Sequence, residues 1–124
     1  MLLICRFAVE PDAAEEFAGR ARRALRLLTA QPGCQDGQLG RSPDDLARWV
    51  LAVRFDSVDA YRRALSPFEV REHVIPLLSE ALTGEPGGYE VLAAASGGAV
   101  HEHDSLVAGD EAGQSRRGPT AGAR

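Results

Sequence analysis

Between Arg48 and Phe55 the chain alternates strictly: Trp49, Leu51, Val53 and Phe55 fall on one parity, and Arg48, Val50, Ala52 and Arg54 on the other. A period of two predicts a strand with one strongly apolar face. Ser57 follows as the N-cap of a helix with Tyr61, Ala64 and Leu65 on one side, which must end near Ser66-Pro67. Ser66-Pro67-Phe68-Glu69 then reads as the start of the next helix, combining an N-cap serine, proline at the first helical position and a capping-box glutamate. Phe68, Arg71, Glu72, Ile75, Leu78 and Leu82 line one side of it, but Pro76 lies within the pattern. A proline inside a helix removes a donor and costs about 3 kcal/mol, so the helix should bend or split there, freeing a carbonyl near His73.

Leu2 to Val9 is apolar apart from Arg6, which predicts a strand central in its sheet and buried on both faces. After Pro11, a capping box of Asp12 and Glu15 predicts a helix with its stripe at Ala14, Phe17, Ala21, Ala24, Leu25 and Leu28, stopped by Pro32-Gly33. A strand over Asp36 to Arg41 and a turn at Ser42-Pro43-Asp44-Asp45 make an antiparallel hairpin with the strand from Arg48. Thr83 to Gly88 reads as a turn, and Tyr89 to Ala95 as the last strand.

The order strand, helix, strand, strand, helix pair, strand predicts an α+β, ferredoxin-like fold with a four-stranded antiparallel sheet and helices on one face. Helices can cover only one sheet face, whereas the first and third strands carry apolar residues on both. A second copy of the chain would cover the other, so a homodimer is expected.

Composition trims this picture at one end. Residues 96–124 are rich in Gly, Ala, Ser and charge, too poor in large aliphatics to offset the entropy of ordering, and are expected to form a disordered tail after a folded domain of residues 1–95. The formal net charge of −4 over 124 residues gives no support to nucleic-acid binding. Arg20, Arg22, Arg23 and Arg26 cluster on one helix behind Glu15 and Glu16, as a solvated face does. Cys5 and Cys34 have neither zinc-ligand nor disulfide-framework spacing. His101-Glu102-His103-Asp104 resembles a ligand set, but a metal site needs held geometry and a tail supplies none. With no signal-peptide pattern and no apolar run of spanning length, a cytoplasmic location is expected, with no membrane partner.

Three stretches carry a family resemblance: Val53-Arg54-Phe55-Asp56-Ser57-Val58-Asp59-Ala60-Tyr61, the Ser66-Pro67-Phe68 after it, and Pro32-Gly33-Cys34 before the second strand. Together they resemble antibiotic-biosynthesis monooxygenase (ABM) domains of the dimeric α+β barrel superfamily. The resemblance implies a small monooxygenase that oxidises an aromatic, polyketide-like phenol or quinol with O2 and no bound cofactor. The alternative is a non-catalytic dimeric domain binding a small apolar ligand or heme, and a third is a dimerisation module in a biosynthetic complex. The family commonly has Trp where Phe55 stands and often His where Ala64 stands. Its heme-degrading branch uses a strand Asn, that Trp and a helical His; His73 falls on the last, but the chain has no Asn, which counts against heme oxygenation.

Cofactor-free oxygenation needs an electron-rich substrate, deprotonated so that it can pass an electron to O2, in a largely apolar pocket with a few polar groups. On this reading Trp49, Phe55 and Tyr61 shape the pocket between sheet and helices, Arg54 or Arg71 stabilises an oxyanion, and His73 acts as base. Each has a plainer role open to it: Trp49 and Phe55 in core or dimer contact, Tyr61 in the core, Arg54 solvated or paired. Arg6 either pairs at the dimer interface or lines the site.

Overall fold

A computed structural model describes residues 1–105, in two units, Met1–Tyr89 and a second beginning at Glu90. In the first unit β1 (Leu2–Ala8) leads through a 3-10 turn (Pro11–Ala13) into α1 (Ala14–Thr29). There follow β2 (Cys34–Arg41), β3 (Arg48–Phe55), α2 (Val58–Ala64), α3 (Phe68–His73), α4 (Ile75–Leu78) and β4 (Gly88–Tyr89). The sheet order is β2-β3-β1-β4 with every pairing antiparallel, the ferredoxin-like arrangement that the element order predicted.

Alternation along the strands decides which side chains the helices cover. Leu3, Cys5 and Phe7 of β1 and Leu51, Val53 and Phe55 of β3 are buried, and pairings such as Cys5 with Leu51 and Leu39 with Leu51 keep that face continuous across the sheet. Against it α1 lays Phe17, Ala21, Ala24 and Leu28, the last three wholly buried, with alanine at two helix positions letting the backbone approach closely. Val70, Val74 and Leu77 of the later helices complete this core, each contributing about 1.5–3 kcal/mol through its burial.

The structure corrects several local expectations. In β1 only one face is fully buried; Leu2 and Ile4 are half-buried on the other, where Arg6 and Ala8 are exposed. Asp12 does not cap α1, because Pro11 opens a 3-10 turn that absorbs it, and α1 starts after Ala13 without a side-chain cap. Ser66 does not cap α3 either: Pro67 takes the N-cap position in extended backbone (φ −60°, ψ 148°), while the Ser66 hydroxyl donates back to the Arg63 carbonyl at 2.8 Å. Pro76 does split its helix, at Val74, and the second piece ends at Leu78 rather than running to Leu82.

The last strand is also shorter than expected. Only Gly88 and Tyr89 pair with β1, and residues 93–95 turn instead into a second, separate sheet. There β5 (Ala93–Ser96) pairs with β6 (Ala99–Glu102) through Gly97 (φ 59°) and Gly98 (φ 84°), two consecutive left-handed residues whose twist suits a two-residue hairpin. The stretch expected as a tail from Ser96 therefore begins inside a hairpin, whose strands are exposed throughout, with His101 on β6 and the His103 N–H donating to the Leu92 carbonyl. The rest of that expectation, residues 106–124, lies outside the described residues.

One close approach sets α2 relative to the sheet. Gly33 has φ +85°, and a Cβ built on it would lie 2.7 Å from the Ala60 Cβ, while its carbonyl accepts the Asp56 N–H at 2.7 Å. Only glycine satisfies both the left-handed backbone and the contact.

Candidate functional site

Ser57 caps α2 as expected, its hydroxyl accepting the Ala60 N–H at 3.0 Å. With Ala60 and Ala64 turned into the core, Tyr61 lies at the boundary, half-buried, its ring edge-on to Phe55 with centroids 5.4 Å apart. Beside it opens a cavity of about 470 Å³ between β1, α2 and the segment that follows α4. Leu3, Cys5, Tyr61 and Leu78 line it, with Ser79 and Glu85 from that segment.

Two hydrogens here are held tightly. Burial pushes the Tyr61 phenol above its ordinary value, and the neighbouring Cys5 adds to the shift. Burial also raises the Cys5 thiol, against a smaller opposing effect of Arg6. Both groups are protonated near neutral pH, so the inner wall of this cavity is uncharged. The Tyr61 hydroxyl has no hydrogen-bond partner among the described residues, which leaves its proton for a bound molecule.

A second cavity of about 550 Å³ lies where β1, β2 and β3 meet the β2–β3 loop. Trp49 lines it with Arg6, Arg41, Arg48, Val50 and Leu82. The indole stands edge-on to Phe17 (5.5 Å), and the Arg41 guanidinium sits over it at 5.1 Å.

The structure thus places Tyr61, its ring against Phe55, at one cavity and Trp49 with Arg6 at another. Phe55 itself is core, 2% exposed. Arg54 projects from the opposite sheet face, where Nε and Nη2 donate to the two carboxylate oxygens of Asp36 at 3.0 and 2.7 Å. That bidentate bond holds the Asp36 carboxyl below the usual carboxylate range. His73 ends α3 and lines neither cavity. Its Nδ1 is 3.1 Å from Arg23 Nη1, where, since a guanidinium can only donate, Nδ1 accepts, and its Nε2 lies 3.5 Å from Glu72 Oε1. Arg71, exposed on α3, also lies outside both cavities.

Sequence reasoning missed Ser79 and Glu85, which lie in a segment without periodicity, and Arg41. The last had a signal: the hairpin register sets Arg41 directly opposite Trp49 on the same face.

The sequence model of a family described as antibiotic biosynthesis monooxygenase matches residues 1–74. Among solved structures, SnoaB from Streptomyces nogalater, described as a cofactor-independent oxygenase, is 26% identical with a TM-score of 0.57, covering 73% of this chain and 94% of its own. A conserved protein from Methanosarcina mazei Go1 (18% identity, TM-score 0.57, 68% and 82% coverage) shares the fold. So does Rv0793 from Mycobacterium tuberculosis (24%, 0.55, 68% and 84%). No curated protein matches the chain.

Proposed function

The chain belongs to the antibiotic biosynthesis monooxygenase family, and on that premise we propose that it oxidises an aromatic, polyketide-like phenol or quinol with O2 in the cavity beside Tyr61, without a bound cofactor. The observation that carries this reading is the Tyr61 hydroxyl: protonated, without a partner among the described residues, and on the wall of a cavity between sheet and helices. In such chemistry the substrate is its own reductant. Loss of a C–H proton gives an anion delocalised onto the phenolic oxygen; one electron passes to O2, and recombination makes a C–O bond to a hydroperoxide. Elimination of water then leaves a carbonyl, so CH2 and O2 become C=O and H2O. Tyr61 donates a hydrogen bond to the oxygen on which the anion's charge accumulates. The description of SnoaB as a cofactor-independent oxygenase supports this reading.

Heme fits these residues poorly. His73, the candidate axial ligand, is turned to Arg23 and Glu72 and lines neither cavity. The homodimer belongs to the same proposal: Leu2, Ile4 and Ala52, half-buried on the sheet face away from the helices, form its centre.

Oxygen uptake and quinone formation with an anthrone test the catalytic reading. Tyr61→Phe should lower kcat by about a hundredfold, the scale of losing one donor to a developing oxyanion, with His73→Ala near the wild-type rate. A Tyr61→Phe enzyme as fast as wild type refutes the assignment.

A further inference from the structure

The reaction proposed above needs an acceptor for the substrate's C–H proton, and Tyr61, which keeps its own, is not that group. Its cavity narrows the choice. Cys5 also holds its proton, Ser79 commits its hydroxyl to the Pro76 carbonyl at 2.7 Å, and an alcohol such as Thr83 is no base near neutral pH. The other lining residues are aliphatic or glycine, except one: Glu85, whose carboxylate has no hydrogen bond or ion pair among the described residues.

Glu85 lies in a segment tied to β1 on both sides of it. Leu82 N–H donates to the Arg6 carbonyl and Ile4 N–H to the Gly87 carbonyl, both at 2.7 Å. Ile4 and Arg6 flank Cys5, so residues 83–86 are bracketed along the β1 edge beyond β4, next to the thiol that walls the cavity with Tyr61. Pro86 stiffens the bracketed stretch, because its ring holds φ at about −65° and steers the preceding Glu85 to extended backbone. The charged groups on the framing elements are placed elsewhere. Arg6 is on the other sheet face, Glu80 is paired with Arg20, and Asp59, Arg62 and Arg63 of α2 are exposed and do not line the cavity.

We propose that Glu85 is the general base, taking the proton from the substrate carbon while Tyr61 hydrogen-bonds the oxygen at the other end of the same conjugated system. This rests on the oxygenase reading of the cavity. A carboxylate base set against a neutral hydroxyl donor makes an enolate near neutral pH, because the charge leaving the carboxylate arrives on an oxygen already beside the donor. The protons balance through one carboxyl group. Glu85 takes the first C–H proton, the carbanion reduces O2 and joins it, and the carboxylic acid then protonates the peroxide. Glu85 next takes the second C–H proton; that bond's electron pair forms C=O, the O–O pair leaves on hydroxide, and the carboxylic acid protonates the hydroxide to water. Both protons of the CH2 group end in that water.

Two assays of the full chain with anthrone separate proton removal from oxygenation. Under nitrogen in deuterium oxide, exchange of the methylene protons followed by NMR reads the base alone; in air, oxygen uptake reads the whole reaction. Glu85→Gln, at an exposed position and checked for folding by circular dichroism, should slow exchange by about a hundredfold and lower oxygen uptake with it. Wild-type kcat/KM should fall through a one-proton acid limb that Glu85→Gln lacks. Exchange in Glu85→Gln at the wild-type rate overturns the assignment, as does an acid limb that survives the substitution. Absence of exchange in the wild type overturns it too. Exchange that depends on Glu85 but is accompanied by no oxygen uptake upholds Glu85 as the base and refutes the oxygenase reading instead.

Discussion

Gly33→Ala tests the contact that places α2, and with it Tyr61. Two costs add at this position. An L side chain held at φ +85° loses about 1–2 kcal/mol. Its Cβ would also stand 2.7 Å from the Ala60 Cβ, well inside the 3.4–4 Å of ordinary contact. Ala60 is 1% exposed and has no rotamer to change, so backbone must move, at about 1–3 kcal/mol for overpacking. The stiffer unfolded chain returns about 0.4–1 kcal/mol, leaving a net loss of about 1–4.5 kcal/mol from a total of about 5–15. Urea denaturation followed by circular dichroism measures it, and the midpoint should fall at constant m. The same substitution in an Ala60→Gly background separates the two costs, because the steric part vanishes and the backbone part stays. The cycle should therefore show a coupling of about 1–3 kcal/mol. A loss below about 1 kcal/mol, or equal losses in both backgrounds, would refute the reasoning. Oxygenase activity offers a second readout: residue 61 follows the displaced contact, so the surviving folded Gly33→Ala protein should turn over an anthrone more slowly than wild type.

Further outcomes follow from other contacts. Ser57→Ala removes the oxygen that accepts the Ala60 N–H and should cost about 1 kcal/mol by denaturation; an unchanged midpoint would mean the cap contributes nothing. The Asp36 carboxyl, depressed by Arg54, contributes stability present above its unfolded pKa and lost as pH falls through the lower folded value. Carbon-detected NMR titration should find Asp36 below the usual carboxylate range in wild type and returned towards it in Arg54→Gln, and no difference between the two would contradict the pairing. Light scattering at micromolar concentration should give twice the 13.2 kDa chain mass, with Ile4→Glu shifting the species to monomer. A monomeric wild type refutes the proposed dimer.

What could be read from the residues was what short-range physics decides. The alternation in β3, the Ser57 cap and the break at Pro76 each depend on neighbours within a few positions, and each stands in the structure. β4 depends instead on two residues reaching the far end of the chain, Tyr89 opposite Leu2 and Gly88 opposite Leu3, and periodicity over 89–95 carries no information about where such pairing ends. The caps failed for a related reason, since Pro11 and Pro67 each took the backbone conformation that an adjacent side chain was expected to exploit. The position of Tyr61 at the edge of the core was legible, because an aromatic with a hydroxyl on the inner side of a capped helix has few places to go. His73 and Arg54 carry suitable chemistry, but Arg23 and Asp36, fifty and eighteen positions away, already occupy them.

Leu82 has a role that neither cavity explains alone. Its N–H donates to the Arg6 carbonyl at 2.7 Å, and the residue lines both hollows. A wall shared by two pockets is a thermodynamic link: a molecule in one that displaces Leu82 alters the free energy of filling the other, and reciprocity makes the effect equal in both directions.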